Sequence, residues 1–509
     1  MVSGPLDLLD ATAFDLQHDL DEGKFTSVDL VKRSLEQIER FDKQGPSLRA
    51  LVSMAPRDKL LEIASELDNE RQSGHVRGPF HGLPIVIKDI INAHPDLKLP
   101  TTQGSAALLG AEYTKGSVLV SKLREAGFII IGKGNISEFG ASKGEKSTGG
   151  LSYLGGQSRS AYVPGGSQPD DEPFARTNPG GSSTGSALAV AAGYAPVSIG
   201  GEAYGSITTP ASRSALYSIE CTPRTINSEG IFLIVPTFES IGGIAKSVPD
   251  LTHLTKVILS AASEPRELRM DLPQAWDNMK LGFVEPGKWK LPDKLFASDP
   301  AYLRQIRSAY EAAIDEIQSM HADVQYPVSV PHPSEIKYKG DDGKIKIFLA
   351  EMRNSMNEYL ATLEQSQVRS LEDIIEFNKN HPELQAGLDQ LNLIQAHNDT
   401  TTPEELDDAR KVVLKSARDE GLIKILDDLG LHAIAAPTDS PISTLAALAG
   451  CPSASVPLGY LEPSGRPFGL SFIAHPFRED TLLQLLGAFE ATFPKRRLPP
   501  LLYRVSGDI

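Results

Sequence analysis

The segment Leu83-Pro-Ile-Val-Ile-Lys-Asp89 is the part of the chain that most directly predicts its fold. Both faces of this segment are apolar until Lys88, which is typical of a strand buried on both sides. A helical pattern over residues 116–127 leads into a second apolar run, Phe128-Ile-Ile-Ile-Gly132. Because helices that alternate with buried strands are typical of α/β folds, we predict an α/β protein in which Lys88 lies at the exit of a core strand.

The rest of the chain continues this pattern without an internal repeat of fixed period. Residues 295–430 are more charged and mostly helical in pattern, whereas apolar strand patterns return over 432–437 and 469–473. We therefore expect a single domain over residues 1–509, built on one large sheet. The helical region around 295–430 is expected to shape substrate access.

The composition excludes several classes of protein. The 509 residues include 50 Lys plus Arg and 66 Asp plus Glu, a formal charge of −16, so no excess of cations favours a nucleic-acid partner. No apolar run approaches the ~20 residues needed to cross a bilayer. The first twenty residues carry four aspartates and neither Lys nor Arg, unlike a secretory or transit peptide. We expect a cytoplasmic protein that binds neither nucleic acid nor membrane.

Metal and cofactor motifs are not found in the sequence. The two cysteines, Cys221 and Cys451, cannot build a disulfide framework or a thiolate zinc site. The eleven histidines show no ligand spacing, and no glycine fingerprint for a nucleotide follows a strand. We therefore predict no metal and no organic cofactor, with both cysteines buried as free thiols in a reducing compartment.

Glycine is concentrated in one zone, where residues 132–206 hold 17 of the 43 glycines. Such a concentration indicates tight turns or close approach of the backbone to another group. Within the zone, Asn178-Pro-Gly-Gly-Ser-Ser-Thr-Gly-Ser186 opens a helix of small residues, so its N–H groups and hydroxyls can face a ligand near the positive end of the helix dipole. Further along, Gly200–Ile207 places Ser206 after another tight turn.

A second serine in this zone offers an alternative nucleophile. Gly181-Ser-Ser-Thr-Gly185 matches the Gly-x-Ser-x-Gly elbow, in which Ser183 would serve a Ser-His-Asp hydrolase. An elbow requires an apolar strand immediately before it, and residues 170–179 form a polar loop pattern instead. The Ser183 hypothesis stays open as an alternative.

Motifs spread over nearly the whole chain resemble the amidase signature family of serine hydrolases. Each motif is moderately specific alone, and together in this order they are strongly so. They are Gly82–Asp89, Thr101–Ser105, Leu123–Phe139, Gly180–Ser183, Gly205–Ile207 with Pro210 and Ala211, Ala449–Gly459 and Gly469–Ile473. The resemblance implies an α/β/α fold with a large mixed central sheet surrounded by helices.

The resemblance also implies a Ser-Ser-Lys catalytic triad. Ser206 matches the nucleophile that forms the acyl-enzyme, and Lys88 matches the terminal base. Ser182 matches the bridging serine, which family members hold with a cis peptide bond, and it is expected to face the substrate as well. The oxyanion loop of the family corresponds to the backbone N–H groups of Ala203, Tyr204, Gly205 and Ser206.

The chemistry of the three side chains agrees with these roles. A serine hydroxyl is a poor nucleophile at neutral pH and needs a nearby base. Lysine acts as a base only when it is uncharged, so its pKa must fall from ~10.4 towards 7–8. Desolvation beside Ile85, Val86 and Ile87 can lower the pKa of Lys88 in this way. Asp89 would oppose the shift, but alternation along the strand directs it to the other face.

The chain departs from the family pattern around the nucleophile. Where members commonly have Asp-x-Gly-Gly-Ser-Ile-Arg, this chain has Glu202-Ala-Tyr-Gly-Ser-Ile-Thr208. If the turn requires φ > 0 at Tyr204, tyrosine costs roughly 1–3 kcal/mol there. Thr208 replaces the arginine that is an expected partner of Glu202. These departures resemble a divergent, fungal-type subgroup and bear on substrate choice and rate.

The implied reaction is hydrolysis of a small-molecule carboxamide to a carboxylate and ammonia or an amine, without a cofactor. Ser206 attacks the carbonyl, Ser182 and Lys88 take its proton and return it to the leaving amine, and water releases the acid. Another alternative is a non-catalytic or partner-dependent subunit, as in the tRNA-linked amidotransferases that resemble this family. The sequence does not decide which acyl and amine groups the substrate carries. It also leaves the oligomeric state open, and a homodimer is one of the states it allows.

Overall fold

The computed structural model of the chain describes residues 7–166, 177–264, 266–271, 273–290 and 300–503. Residues 170–176 of the predicted polar loop lie outside the described residues. So do the first five residues of the predicted helical region, 295–299.

Strands from most of the described chain form one mixed sheet, so the predicted large mixed sheet is confirmed. In spatial order the strands are β1-β3-β2-β4-β6-β5-β10-β11-β9-β7-β8. Strands β3, β2 and β4 run parallel to one another, as do β9, β7 and β8, and the remaining neighbours are antiparallel. The eleven strands are β1 Leu51–Met54, β2 Pro84–Lys88, β3 Ile129–Gly134, β4 Val197–Glu202, β5 Tyr217–Glu220, β6 Ser240–Ala245, β7 Lys280–Val284, β8 Asp323–Val328, β9 Ala433–Pro437, β10 Ser453–Tyr460 and β11 Pro467–Ala474.

Helices surround this sheet, as the α/β/α prediction requires. The helix predicted over 116–127 is α4, which begins after Ser117, whose hydroxyl accepts from the N–H of Val120. The described helices are α1 Ala13–Asp21, α2 Ser27–Ile38, α3 Arg57–Gln72, α4 Val118–Glu125, α5 Thr184–Ala191, α6 Thr208–Ser212, α7 Val248–Leu259, α8 Pro300–Ser319, α9 Gly343–Ala361, α10 Leu371–Asn380, α11 Leu391–His397, α12 Pro403–Leu414, α13 Ile423–Leu429, α14 Ile442–Ala449, α15 Glu479–Thr492 and α16 Pro500–Tyr503.

The small residues of α5 bring the glycine-rich loop close to the centre of the sheet. Every residue of α5, β2 and β3 is buried. A Cβ atom on Gly185 would lie 2.1 Å from the backbone nitrogen of Asn135, so only glycine allows this approach of helix and strand. The loop that precedes α5 therefore lies beside the end of β2, where Lys88 is located.

The region 300–430 adds α8 to α13 to the fold, and it also contains a strand that its sequence pattern did not indicate. Strand β8 pairs in parallel with β7 at the edge of the sheet. It is mostly exposed or half-buried, so it lacks the apolar run by which a core strand is recognised. Both free cysteines are buried, as predicted. Within the described residues, no helix combines the length and apolar character needed to cross a membrane.

Candidate active site

Lys88, the last residue of β2, is buried with 3% of its surface exposed. Its Nζ donates to the Oγ of Ser182 at 2.8 Å and to the carbonyl oxygen of Gly201 at 2.6 Å. Burial lowers the pKa of Lys88 well below the usual lysine value, and the carboxyl groups of Glu239 and Glu202 oppose this shift. Desolvation is the larger effect, so an uncharged amine is available near neutral pH.

Asp89 directly follows β2, and its carboxylate has partners other than Lys88, as alternation along the chain predicts. Its carboxylate accepts from the backbone N–H groups of Thr102 at 3.1 Å and Gly104 at 3.0 Å. The Nζ of Lys133 is 4.0 Å from the same carboxylate. Asp89 therefore pairs with a different lysine, and Lys88 forms no direct ion pair with any residue that the structure describes.

The glycine-rich loop holds two serines in different environments. The peptide bond between Gly181 and Ser182 is cis, and the Ser182 hydroxyl faces Lys88. The Ser183 hydroxyl is fully buried, donates to the carbonyl oxygen of Gly201 at 3.1 Å and accepts from the Gly201 N–H at 3.2 Å. Because this hydroxyl is enclosed and already hydrogen-bonded to β4, a substrate cannot reach it. The geometry argues against Ser183 as the nucleophile.

Ser206 is half-buried and lies where two cavities meet. It lines an inner chamber of about 40 Å³ together with Lys88 and Ser182, and it also lines an outer cavity of about 340 Å³. The N–H of Ser183 donates to the carbonyl oxygen of Ser206 at 2.9 Å, which joins the two serine loops. Among the described residues, the Ser182 hydroxyl is hydrogen-bonded to Lys88 but not to the Ser206 hydroxyl. The structure thus places the three predicted triad residues around one chamber.

The predicted oxyanion loop has free donors. The backbone N–H groups of Ala203, Tyr204 and Ser206 donate to no other group in the described part of the chain. The N–H of Gly205 is directed to the carboxyl group of Glu202, whose pKa it helps to lower. Three of the four predicted donors are therefore available to a ligand, whereas Gly205 is engaged.

The predicted strain at Tyr204 is not observed. The left-handed backbone of this turn falls on Gly205, with φ of 98°, and Tyr204 is not among the residues with positive φ. The glycine that the turn requires is therefore retained, and Tyr204 occupies an ordinary backbone conformation. Its ring lies 5.9 Å from that of Phe238, and the Nζ of Lys344 lies 5.4 Å from its centroid.

Thr208 and the start of α6 replace the missing arginine as partners of Glu202. The Glu202 carboxylate accepts from the N–H of Ile207 and from the N–H of Thr208 at 2.7 Å. The Thr208 hydroxyl donates to it at 3.2 Å and is also 3.1 Å from the Ser443 hydroxyl. Burial raises the pKa of Glu202, while these hydrogen bonds lower it. The buried carboxyl group is thus satisfied by hydrogen bonds from Ile207 and Thr208.

Two charged residues of the site were missed by sequence reasoning. Glu239 lines the inner chamber and accepts from the N–H groups of Ile234 at 2.6 Å and Val235 at 3.1 Å. Burial raises the pKa of Glu239, and Lys88 acts in the opposite direction. Lys344, from α9, lines the outer cavity. Neither residue belongs to a recognisable motif, and both reach the site only through long-range packing.

In the parts of the chain that the structure describes, no three His, Cys, Asp or Glu side chains converge on one point where a metal ion could bind.

Comparisons with known proteins agree with this fold. The family model described as Amidase matches residues 29–441. A protein of Arabidopsis thaliana described as a probable amidase is 30% identical, over 98% of this chain and 93% of the relative. The solved structure of the native peptide amidase from Stenotrophomonas maltophilia matches with a TM-score of 0.84 and 30% identity, covering 98% of this chain and all of that one. A glutamyl-tRNA(Gln) amidotransferase subunit of Chloroflexus aurantiacus is 27% identical over 92% of this chain and 94% of the relative.

The fold and these matches define an enzyme that hydrolyses amide bonds. The chain belongs to the amidase family, which carries the amidase signature.

Proposed function

We propose that this amidase hydrolyses a small-molecule carboxamide through a triad of Ser206, Ser182 and Lys88 and an acyl-enzyme intermediate. The observation that carries the proposal is the 2.8 Å hydrogen bond between the buried Lys88 amine and the Ser182 hydroxyl, in a chamber that Ser206 also lines. Burial favours the uncharged amine, which can accept a proton, and a hydroxyl can accept one proton while it donates another.

Acylation begins with attack by the Ser206 Oγ on the carbonyl carbon of the amide. The Ser206 proton passes to the Ser182 Oγ as the proton of Ser182 passes to the Lys88 Nζ, so the net change is protonation of the lysine. Negative charge develops on the carbonyl oxygen. The free N–H groups of Ala203, Tyr204 and Ser206 supply donors for it, and one such donor is typically worth about 3 kcal/mol in the transition state.

Collapse of the tetrahedral intermediate needs a proton on the leaving nitrogen. The Lys88 ammonium returns one through Ser182, the C–N bond breaks, and ammonia or an amine departs from the acylated Ser206. Water then attacks the ester carbonyl while the same relay takes its proton, and the relay returns this proton to the Ser206 oxygen as the bond from that oxygen to the acyl carbon breaks. The products are a carboxylate and the regenerated serine hydroxyl.

Access to the chamber runs through the outer cavity. Its wall includes Phe348 and Leu349 of α9, in the region 295–430. A volume of about 340 Å³ is at the lower end of the size of ligand pockets in proteins, which supports a small substrate. It also supports the proposal that this helical region, within a single domain, shapes substrate access.

A partner-dependent role is the second candidate function, and the similarity to an amidotransferase subunit is the observation that favours it. A protein of that kind would need its partner for efficient turnover. Ammonia released by the purified chain alone from a panel of aryl and short aliphatic carboxamides would support the amidase. Turnover that appears only on addition of a partner would favour the alternative.

The assignment of the nucleophile is tested by covalent labelling with a fluorophosphonate. We expect mass spectrometry to place the label on Ser206 and the Ser206→Ala variant to lose amide hydrolysis by a factor on the order of 10⁴ or more. Ser183→Ala is the matched control, because it removes a hydroxyl from the neighbouring glycine-rich loop, and we expect it to keep activity. A label on Ser183, or activity abolished only in Ser183→Ala, would overturn the proposal.

A further inference from the structure

The outer cavity differs in charge from the protein as a whole. The chain carries a net charge of −16, yet the charged side chains among the described residues that line this cavity are Lys344 and Arg213, without a carboxylate. The cavity that leads to Ser206 therefore has a positive lining in an acidic protein. An anionic group on a substrate matches this lining.

The two cations are not equivalent. Arg213 is 1% exposed, and its Nε and Nη2 donate to Asp439 at 3.1 and 2.8 Å. Its Nη1 donates to the carbonyl oxygen of Asn178 at 3.0 Å. These contacts fix the guanidinium in the wall of the cavity, so we infer that the main role of Arg213 is structural.

Lys344, unlike the buried Arg213, is only half-buried and lies near the start of α9. Its ammonium forms no ion pair with any described residue and lies 5.4 Å from the centroid of the Tyr204 ring. The nearby Asp342 accepts from the backbone N–H groups of Lys344 and Ile345, so this carboxylate caps the helix. The aromatic face attracts the ammonium but accepts no conventional hydrogen bond from it, so its N–H groups can still donate to a ligand.

We propose that Lys344 determines substrate specificity by binding a carboxylate that the substrate carries away from its scissile amide. The substrate class is the monoamides of dicarboxylic acids, and the inference rests on the function proposed above. The amide side chains of Asn392 and Gln395 line the same cavity and can donate to the carboxylate. Phe348 and Leu349 offer apolar surface to the methylene chain between the two ends.

Kinetics with matched substrates test the proposal. Monoamides of linear dicarboxylic acids of graded length are compared with neutral straight-chain carboxamides of the same lengths. We expect the wild type to prefer an anionic substrate, and Lys344→Gln to lower kcat/KM for it by roughly 10- to 100-fold, with little change for the neutral amide. Lys344→Arg should keep most of the preference, because it keeps the charge.

The control variant is Lys346→Gln on the same helix. Lys346 lies 4.0 Å from Glu405 and is not among the residues that line the cavity, so its loss should leave the preference unchanged. Equal turnover of anionic and neutral amides by the wild type would overturn the inference. An equal loss of kcat/KM on the anionic and the neutral substrate in Lys344→Gln would also overturn the inference.

Calorimetric binding of glutarate, the free diacid, separates this inference from the proposed function. Glutarate binding by the wild type that weakens at least tenfold in Lys344→Gln supports the anion site. If glutarate binds in this way but no amide is hydrolysed, only the proposed function is contradicted. Absent binding, or binding that is equal in the two proteins, contradicts the Lys344 assignment. Hydrolysis without anion preference contradicts only this inference.

Discussion

Two buried lysines at the ends of neighbouring strands have opposite surroundings. Lys88 ends β2, and Lys133 lies beside it on β3, where it pairs in register with Ile87. Burial lowers the pKa of both, that of Lys133 to about 8. A lowered pKa alone therefore does not distinguish a base from a structural lysine.

Their partners make the difference. The amine of Lys133 is held by the carbonyl oxygen of Ile91, by the Thr101 hydroxyl at 2.9 Å and by the Asp89 carboxylate at 4.0 Å. Lys88 instead contacts the Ser182 hydroxyl in a chamber that Ser206, the proposed nucleophile, also lines. We infer that Lys133 holds its segment in place, whereas Lys88 has a partner that can carry a proton to the substrate.

Replacement of Lys88 is expected to reduce activity far more than replacement of Lys133, and this is the largest effect that separates the two lysines. Lys88→Met should lower kcat/KM by roughly 10²–10⁴-fold or more, because the relay loses its base. The fold should persist. The pKa of Lys88 is lower in the folded state than in the unfolded state. At pH values below the unfolded-state pKa of ~10.4, this lysine therefore reduces the free energy of unfolding, because the unfolded state binds the proton more tightly. The unfolding temperature at neutral pH should thus stay equal or rise, and calorimetry beside steady-state kinetics measures both.

Lys133→Met should show the reverse pattern. It leaves the buried Asp89 carboxylate without its cation, which costs about 3–5 kcal/mol when one partner of a buried pair is removed. Denaturant unfolding measures the loss, and the kcat of the folded fraction should change less than tenfold. The comparison between the two lysines fails if Lys133→Met is stable but inactive, or if Lys88→Met unfolds.

The amidase family could be predicted from motifs spread along the sequence, and the buried strand of Lys88 could be predicted from its apolar pattern. The triad roles of Lys88, Ser182 and Ser206 stay a prediction, although the three residues line one chamber. Other features depend on packing. Whether the positive φ falls on Tyr204 or Gly205 is decided by the turn geometry. Glu239 and Lys344 reach the site from segments distant in sequence, and no local pattern marks such contacts.

Glu239→Gln should produce a smaller, directional effect. Burial raises the pKa of Glu239, but whenever this carboxyl group is ionised it raises the pKa of Lys88, so its removal should lower the pKa of Lys88 further. The rise of activity with pH should move to lower pH by roughly one unit. An unchanged midpoint would show that Glu239 does not act on Lys88.

The central claim is that an uncharged Lys88 activates Ser206 through Ser182. The rate at which a fluorophosphonate labels Ser206, followed from pH 5 to pH 11, tests it without knowledge of the natural substrate. We predict a rate that rises with pH to a plateau, with a midpoint at roughly 7–8, and the loss of this rise in Lys88→Met. A flat profile, or a midpoint at the ordinary lysine pKa of ~10.4, would contradict the account.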